Sequence, residues 1–523
     1  MSNTYHLVVL ETRHIQSYIF NSNRLKENVG ASYLVKVATQ DWIYAEFGSI
    51  DDQPPIENGK TPVEIIYCGG GKAVLLFRHK EDATEFIRTH SRQILREARG
   101  LQFTFHRQEF IWGKEPLSYA VADALGSLKL ARNKQPLRTG IAGLGVTAMC
   151  ASTSLPATHI NLVNDRWQAV SSEIHAKRES AKPANDKLRD NLITKTDYTF
   201  PLDLDKLGGT LGASNFIAII HADGNGLGQI IQNTKQDFPD TDGKKGNRAY
   251  IAYLRDFSEK IKLVATESLK RVVTQLIDSI EIDKDGKRWI RGKGQQPPIE
   301  IKHDDQLGAY PLPLRPLVSG GDDVTFVCDG RIGLDMMILF LESFEQQAQK
   351  LLDKPLTACA GMAIVNTKYP FSRAYDLAGE LCDNAKKEYH GKGKSAFDWH
   401  YTTGGLYDDI TGMREREYLV GGRKLFNRPI SISDNPAEEK TSAHLKTTIT
   451  YFQTNLAWRK SRNKLKKLVD AIRAGDKALQ DFKTNYDSLL VPPNTSDATL
   501  YDVLELVDLY IPLKGGKTDV SAD

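Results

Sequence analysis

The sequence predicts an α+β protein built on two ferredoxin-like domains, with a charged helical linker between them and a helical C-terminal domain. Three observations carry this expectation. The element order β, α, ββ, α, β occurs twice along the 523 residues. Each copy holds a hairpin with apolar arms around a glycine tip, Gly69-Gly70-Gly71-Lys72 in the first and Gly320-Gly321-Asp322-Asp323 in the second. Between the copies, Val163 to Asn191 is charged and helical in spacing, and helical spacing returns from about Ala443.

In chain order, Tyr5–Leu10 reads as a strand that leads through Ile15-Gln16-Ser17-Tyr18-Ile19-Phe20 into a helix. Val29-Gly30-Ala31-Ser32 precedes a longer helix reaching about Phe47. The stretch Val63 to Phe77 forms the first hairpin, and Glu81–Ala98 a helix with Ala83, Phe86, Ile87, Ile94 and Leu95 on one face. Alternation over Leu101–Phe110 gives the next strand. Arg178-Glu179-Ser180-Ala181-Lys182-Pro183 is expected to break the linker helix. The second copy runs through a buried strand, Phe216–Asp223, a long helix, Ala249–Ile280, and the hairpin Leu317–Cys328. It ends with a helix over Ile332–Leu352, a strand over Thr357–Val365 and a helix over Tyr375–Tyr389 carrying Asn384-Ala385-Lys386-Lys387. Gln236 to Asn247 and Asp283 to Pro313 are polar insertions, expected as solvated loops or, through their Lys and Arg, RNA contacts. The corresponding expected domains are 1–145, 146–210, 211–405 and 406–523.

Composition excludes several classes. A charged fraction of 26% and a hydrophobic fraction of 40% are ordinary for a globular chain. The net charge of +3 leaves nucleic-acid contact to local patches. Cys68, Cys150, Cys328, Cys359 and Cys382 form no Cys-x-x-Cys pair, which fits reduced thiols and gives no zinc ribbon. The N-terminus lacks a basic segment followed by an apolar one, and no run reaches about 18 apolar residues. A cytoplasmic protein without membrane contact is therefore expected.

The chemistry concentrates at the second tip. Adjacent like charges repel, so Asp322 and Asp323 suit either a solvated turn or a place where a divalent cation neutralises them and holds a polyphosphate. Upstream, a strand runs into Asp223-Gly224-Asn225-Gly226-Leu227-Gly228. That run departs from G-x-G-x-x-G and fits a turn that lets the backbone approach a triphosphate. A carboxylate at a strand end and another pair on a neighbouring hairpin meet the needs of metal-assisted phosphoryl transfer. Lys72 stands where the second tip has a carboxylate, so the first copy is expected to be catalytically silent. Lys386 reads as a surface lysine or a phosphate contact, and Arg459, Lys460, Arg462, Lys464, Lys466 and Lys467 as a solvated helix face or a phosphate-contacting one.

Asp223-Gly224-Asn225, Ser319-Gly320-Gly321-Asp322-Asp323 and Ala385-Lys386 resemble the palm of the large, polymerase-like subunit of type III CRISPR effector complexes and, more distantly, GGDEF-type diguanylate cyclases. Ile15 to Phe20 with Gly30-Ala31-Ser32 resembles the same subunit's first palm. The resemblance implies two palms of the nucleotide cyclase/polymerase type: a degenerate one in 1–145, a linker domain in 146–210, and a catalytic one in 211–405. It implies conversion of ATP or another NTP into a cyclic oligonucleotide or cyclic nucleotide messenger in antiviral defence, with Mg²⁺ or Mn²⁺ on Asp223, Asp322 and Asp323. Gly224, Asn225, Gly226, Ser319, Gly320, Gly321, Lys386, Gly70, Gly71 and Lys72 would then line the nucleotide site. Partners would be RNA-guided complex subunits, crRNA and target RNA. A non-catalytic scaffold subunit of such a complex is the alternative, and a DNA or RNA polymerase lacks recognisable fingers or thumb.

Two departures from that family stand out. With a palm starting at Tyr5, no HD nuclease is expected, and His303-Asp304 reads as a loop pair. The linker keeps Cys150 alone where zinc-binding cysteines are common, so a metal-free linker is expected.

Overall fold

The computed structural model describes residues 4–134, 145–163, 166–207, 215–294, 296–352, 355–402 and 409–514. The expected boundaries at 210/211 and 405/406 lie outside the described residues. The chain is mixed α and β with two palms, and it divides into two units. One comprises residues 1–188, 226–263 and 320–322, the other 189–225, 264–319 and 323–523.

In the first unit, β1 (Thr4–Arg13), β2 (Val63–Gly69), β3 (Lys72–Phe77) and β4 (Gln102–Ile111) form an antiparallel sheet in the order β2-β3-β1-β4. β1 is central, and Leu7, Val8, Val9 and Leu10 are all fully buried, as a strand covered on both faces requires. Alternation sends Leu7 and Val9 toward Leu117, Val121 and Leu128 of the helix Leu117–Lys134. Val8 and Leu10 go the other way, to Ile43 and to Ala83 and Phe86 of the helix Lys80–Glu97. Leu95 of that helix is exposed rather than inward, because it falls off the stripe set by Ala83, Phe86 and Ile94.

Two expectations about helices in this unit are corrected. Gly30-Ala31-Ser32 lies inside the helix Leu25–Lys36 rather than before it. A Cβ on Gly30 would lie 1.6 Å from the Lys177 carbonyl oxygen, so the motif serves close helix packing. The expected break at Pro183 is absent, and Ser172–Leu192 is one helix with the proline inside. Proline removes one ladder bond, but tertiary contacts hold this helix. Ala181 is fully buried, Lys177 donates to the Tyr18 carbonyl at 2.6 Å, and Arg178 meets the Glu27 carboxylate at 3.3 Å.

The second unit is organised on a six-stranded sheet whose order is Leu314–Ser319, Asp323–Asp329, Phe216–Gly224, Ala358–Asn366, Ala396–Tyr401 and Ile430–Ser431. All neighbours are antiparallel except Ala358–Asn366 with Ala396–Tyr401. Two glycines show where its helices lie. A Cβ on Gly361 would meet Ala378 and Cys382 of the helix Phe371–Tyr389, whereas one on Gly333, opening the helix Gly333–Leu351, would meet Ala218 and Met362. Gly361 and Met362 are consecutive and point to opposite faces, so the helices cover opposite faces of the sheet. Gly361 pairs with His221, two residues before Asp223, which puts Asp223 on the face of the Phe371–Tyr389 helix.

The insertion over 283–313 is more structured than expected. Glu281–Ile282, Arg288–Ile290 and Ile299–Ile301 form a small antiparallel sheet. His303 and Asp304 lie in a turn region, with the Asp304 carboxylate on Lys206. The C-terminal helices include Ser442–Thr454, Asn463–Ala474, Asp476–Asn485 and Asp497–Leu506, and the buried Trp458 packs its ring against Phe452 and Phe482. Leu465, Leu468 and Ile472 are buried, but the basic run is split, because the helix Leu456–Lys460 stops before Asn463–Ala474 begins. Among the described residues no helix is long and apolar enough to cross a membrane.

Candidate active site

Asp223 occupies the end of an apolar strand in which Ile217, Ala218, Ile219, Ile220 and Ala222 are buried, so the core fixes its position. Asp323 opens the second strand of the hairpin and is the register partner of Asp223. Partners in an antiparallel pair project on one face with Cβ atoms about 4.5–5.5 Å apart, where like charges destabilise each other. The structure compensates from the helix Phe371–Tyr389, whose Lys386 ammonium bonds the Asp223 carboxylate. Burial pushes the Lys386 ammonium down, but the Asp223 hydrogen bond and charge outweigh it and hold the pKa above the ordinary lysine value.

His221, on the same face, places Nδ1 3.4 Å from Asp323 Oδ1 and 3.2 Å from Thr325 Oγ1. Burial lowers its pKa, so the ring is neutral at pH 7. Asn225 leaves the strand with its backbone N–H on the Thr357 carbonyl at 2.8 Å and its side-chain amide donating to Thr357 Oγ1 at 2.9 Å. Gly224 ends the strand, and Gly226 (φ 76°) turns the chain into the helix Leu227–Asp237. Ser319 ends the first hairpin strand opposite Val324.

Gly320, Gly321 and Asp322 group with the first unit. There, a Cβ on Gly321 (φ 98°) would lie 3.7 Å from Ile261. Burial pushes the Tyr67 phenol up, and the Asp322 charge adds to this. Gly70 and Gly71 have φ of 56° and 76°, and the Gly71 carbonyl accepts from Thr12. Lys72 is already paired with Glu11 Oε1 at 3.2 Å, because β1 and β3 place the two residues opposite each other.

The structure thus brings Asp223, Asp323 and Lys386 together, fixes Asn225 beside them, and puts Asp322 on the tip. Sequence reasoning assigned no role to His221, Thr357 or Glu11. His221 had a signal in the strand periodicity, since it lies two residues before Asp223. Among the described residues, no group of three His, Cys, Asp or Glu side chains forms a ready metal cage. The opposed carboxylates nevertheless fit a hard cation that takes its other ligands from water and substrate phosphates.

Residues 216–396 match the family model described as Cas10/Cmr2, second palm domain. No curated protein sequence matches the chain. Among solved structures, the Csm1-Csm4 cassette in complex with pppApApA aligns with a TM-score of 0.50 at 11% identity, covering 97% of this chain and 70% of that one. The cassette in complex with AMPPNP gives 0.47 at 11% identity with the same coverage. Csm1 in T. onnurineus gives 0.45 at 14% identity, again covering 97% and 70%. At such identities the likeness is one of fold.

Proposed function

We propose, from the premise that this chain is a Cas10-like palm protein whose residues 216–396 form a second palm of the Cas10/Cmr2 type, that it is a nucleotidyltransferase joining ATP or another NTP into a cyclic oligonucleotide. The observation that carries the reading is the register Asp223↔Asp323 with the Lys386 ammonium on Asp223. In phosphoryl transfer the protein contributes mainly positioning and charge stabilisation. Asp223 and Asp323 supply hard oxygen donors on one face, and Asp322 a third at the tip. When bound, Mg²⁺ or Mn²⁺ polarises the α-phosphate and favours deprotonation of the attacking hydroxyl.

The remaining roles belong to the chain's own side chains. Neutral His221 orients Asp323 without adding charge, and Asn225, locked on Thr357, holds the strand end open to a triphosphate. Lys386 keeps its proton and is placed to pass from Asp223 to phosphate oxygens as substrate arrives. In this reading Ser319, at the end of its hairpin strand, and the tip glycines Gly320 and Gly321 present backbone to the nucleotide. In the same reading the chain works with a partner subunit and guide RNA, the first of these by analogy with Csm1, which is found with Csm4 in the cassette.

The test is incubation of the purified chain with each labelled NTP and Mg²⁺ or Mn²⁺, with products identified by mass, and repeated with added guide and target RNA. Cyclic oligonucleotide is expected from one NTP, and Asp322→Ala with Asp323→Ala should cut its formation by at least about a hundredfold without unfolding the protein. Undiminished product from the double variant overturns the assignment.

A further inference from the structure

A cleft of about 440 Å³ in the second unit, lined in part by Thr194, Lys195, Thr196, Ile277, Ile280 and Arg288, includes no residue of the Asp223 site. Arg288 stands on the short strand Arg288–Ile290, paired with Ile282 on one side and Ile301 on the other. Its guanidinium carbon is 3.7 Å from the Tyr310 ring centroid and 4.9 Å from that of Tyr198. These tyrosines are partners in a two-stranded parallel pairing, so the backbone fixes the clamp. Nη2 donates to the Asp197 carboxylate at 3.0 Å and the Tyr198 side chain also hydrogen-bonds the guanidinium, while among the described residues Nε and Nη1 are buried without a further hydrogen-bond partner. The side chain is only 11% exposed.

A buried guanidinium with unused donors is unfavourable unless an acceptor arrives, and the lining supplies an environment for one. Thr194 and Thr196 add hydroxyls, and Lys195 adds an ammonium that pairs with the exposed Asp278 at 3.1 Å; the Asp197 carboxylate, also in the lining, is already engaged by Arg288. Such donors suit a tetrahedral oxyanion better than a neutral ligand, since arginine pairs strongly with phosphate. Ile277 and Ile280 provide an apolar wall for the rest of the molecule. The volume is within the range of small-molecule sites, about 300–1,000 Å³.

We infer that this cleft is a second ligand site, which binds a phosphate-bearing small molecule of mononucleotide size through Arg288, Lys195, Thr194 and Thr196. It is separate from the Asp223 site, so it does not depend on the proposed catalysis.

The test is isothermal titration of the full chain in EDTA with inorganic phosphate, AMP and adenosine, because without divalent metal the Asp223–Asp323 carboxylates repel anions. AMP should bind, adenosine should not, and inorganic phosphate should bind more weakly than AMP. Arg288→Gln should weaken AMP at least about tenfold, and Thr196→Val or Lys195→Gln about threefold each, with unchanged circular dichroism. The two milder variants keep the test valid if Arg288→Gln misfolds. Phosphate binding as tight as AMP would confine the site to a free oxyanion and overturn the mononucleotide assignment. Absence of heat at about 10 mM of every probe, or AMP binding unaffected by all three variants, overturns the site.

Discussion

Asp223 and Lys386 are 31% and 26% exposed, which places their ion pair in the class that contributes only about 0–1 kcal/mol to stability. Its importance lies in charge placement. Lys386→Met should shift the melting temperature by no more than about 2 °C. It should tighten Mg²⁺ binding in calorimetry, because the ammonium no longer competes for Asp223, yet raise the nucleotide KM about tenfold in steady-state assays. Weaker metal binding in the variant would show that Lys386 orders the carboxylates rather than competing with the cation. Lys72 has a different origin. Its residue type was visible in the first hairpin tip, but its pairing with Glu11 comes from the β1–β3 register, which a single-strand reading does not contain.

At the scale of elements, the helix Phe371–Tyr389 reaches its strand only because Gly361 has no side chain. A Cβ there would lie 2.0 Å from the Ala378 carbonyl oxygen and 2.4 Å from the Cys382 nitrogen, both backbone atoms. Gly361→Ala should therefore destabilise the protein by about 1–3 kcal/mol in denaturant titrations and lower turnover, since the displaced helix carries Lys386.

The helix Asp497–Leu506 is attached by a buried network. Arg428 Nη1 donates to Glu505 at 2.9 Å, and the backbone N–H groups of Asn427 and Arg428 donate to Asp502 at 2.8 and 3.1 Å. Burial raises the Asp502 carboxyl to about 7 against the opposing pull of Arg428. Because the folded pKa lies above the unfolded one, this group's stabilisation is complete below about pH 4 and is lost as pH rises through about 7. Asp502→Asn should therefore melt progressively higher relative to the parent from about pH 4 to about pH 7 and keep that difference at higher pH. Parallel melting curves for the two proteins would refute a buried titrating carboxyl.

For the molecule as a whole, the proposed RNA partner needs a surface. The basic run is divided between two helices, and Lys464 and Lys467 converge on the Tyr486 hydroxyl at 3.2 and 3.5 Å, while Arg462 pairs with Asp508. Cations that neutralise RNA phosphates release counterions, so such binding weakens steeply with salt. Changing Arg459, Lys460, Lys464, Lys466 and Lys467 to Glu should lower RNA affinity in filter binding. The logarithmic salt slope should flatten by about 0.7 for every phosphate that is no longer neutralised. If the variant binds RNA with the parent's salt slope, this face is only solvated.

The two palms, their hairpins and the carboxylates at the second tip follow from local patterning, because period-2 burial, helical stripes and glycine tips are local consequences of backbone geometry. Asp223, Asp322, Asp323 and Lys386 were therefore legible as residue types in the right order. What required the tertiary structure was every pairing across distance: the opposition of Asp223 and Asp323, the hold of Lys386 on one of them, and the capture of Lys72 by Glu11. The same applies to Pro183, where local propensity argues for a break and buried contacts from Tyr18 and Glu27 keep the helix whole. The physical reason is common to all of them. Local preferences are worth less than the burial and charge pairing that come only when strands and helices distant in sequence meet.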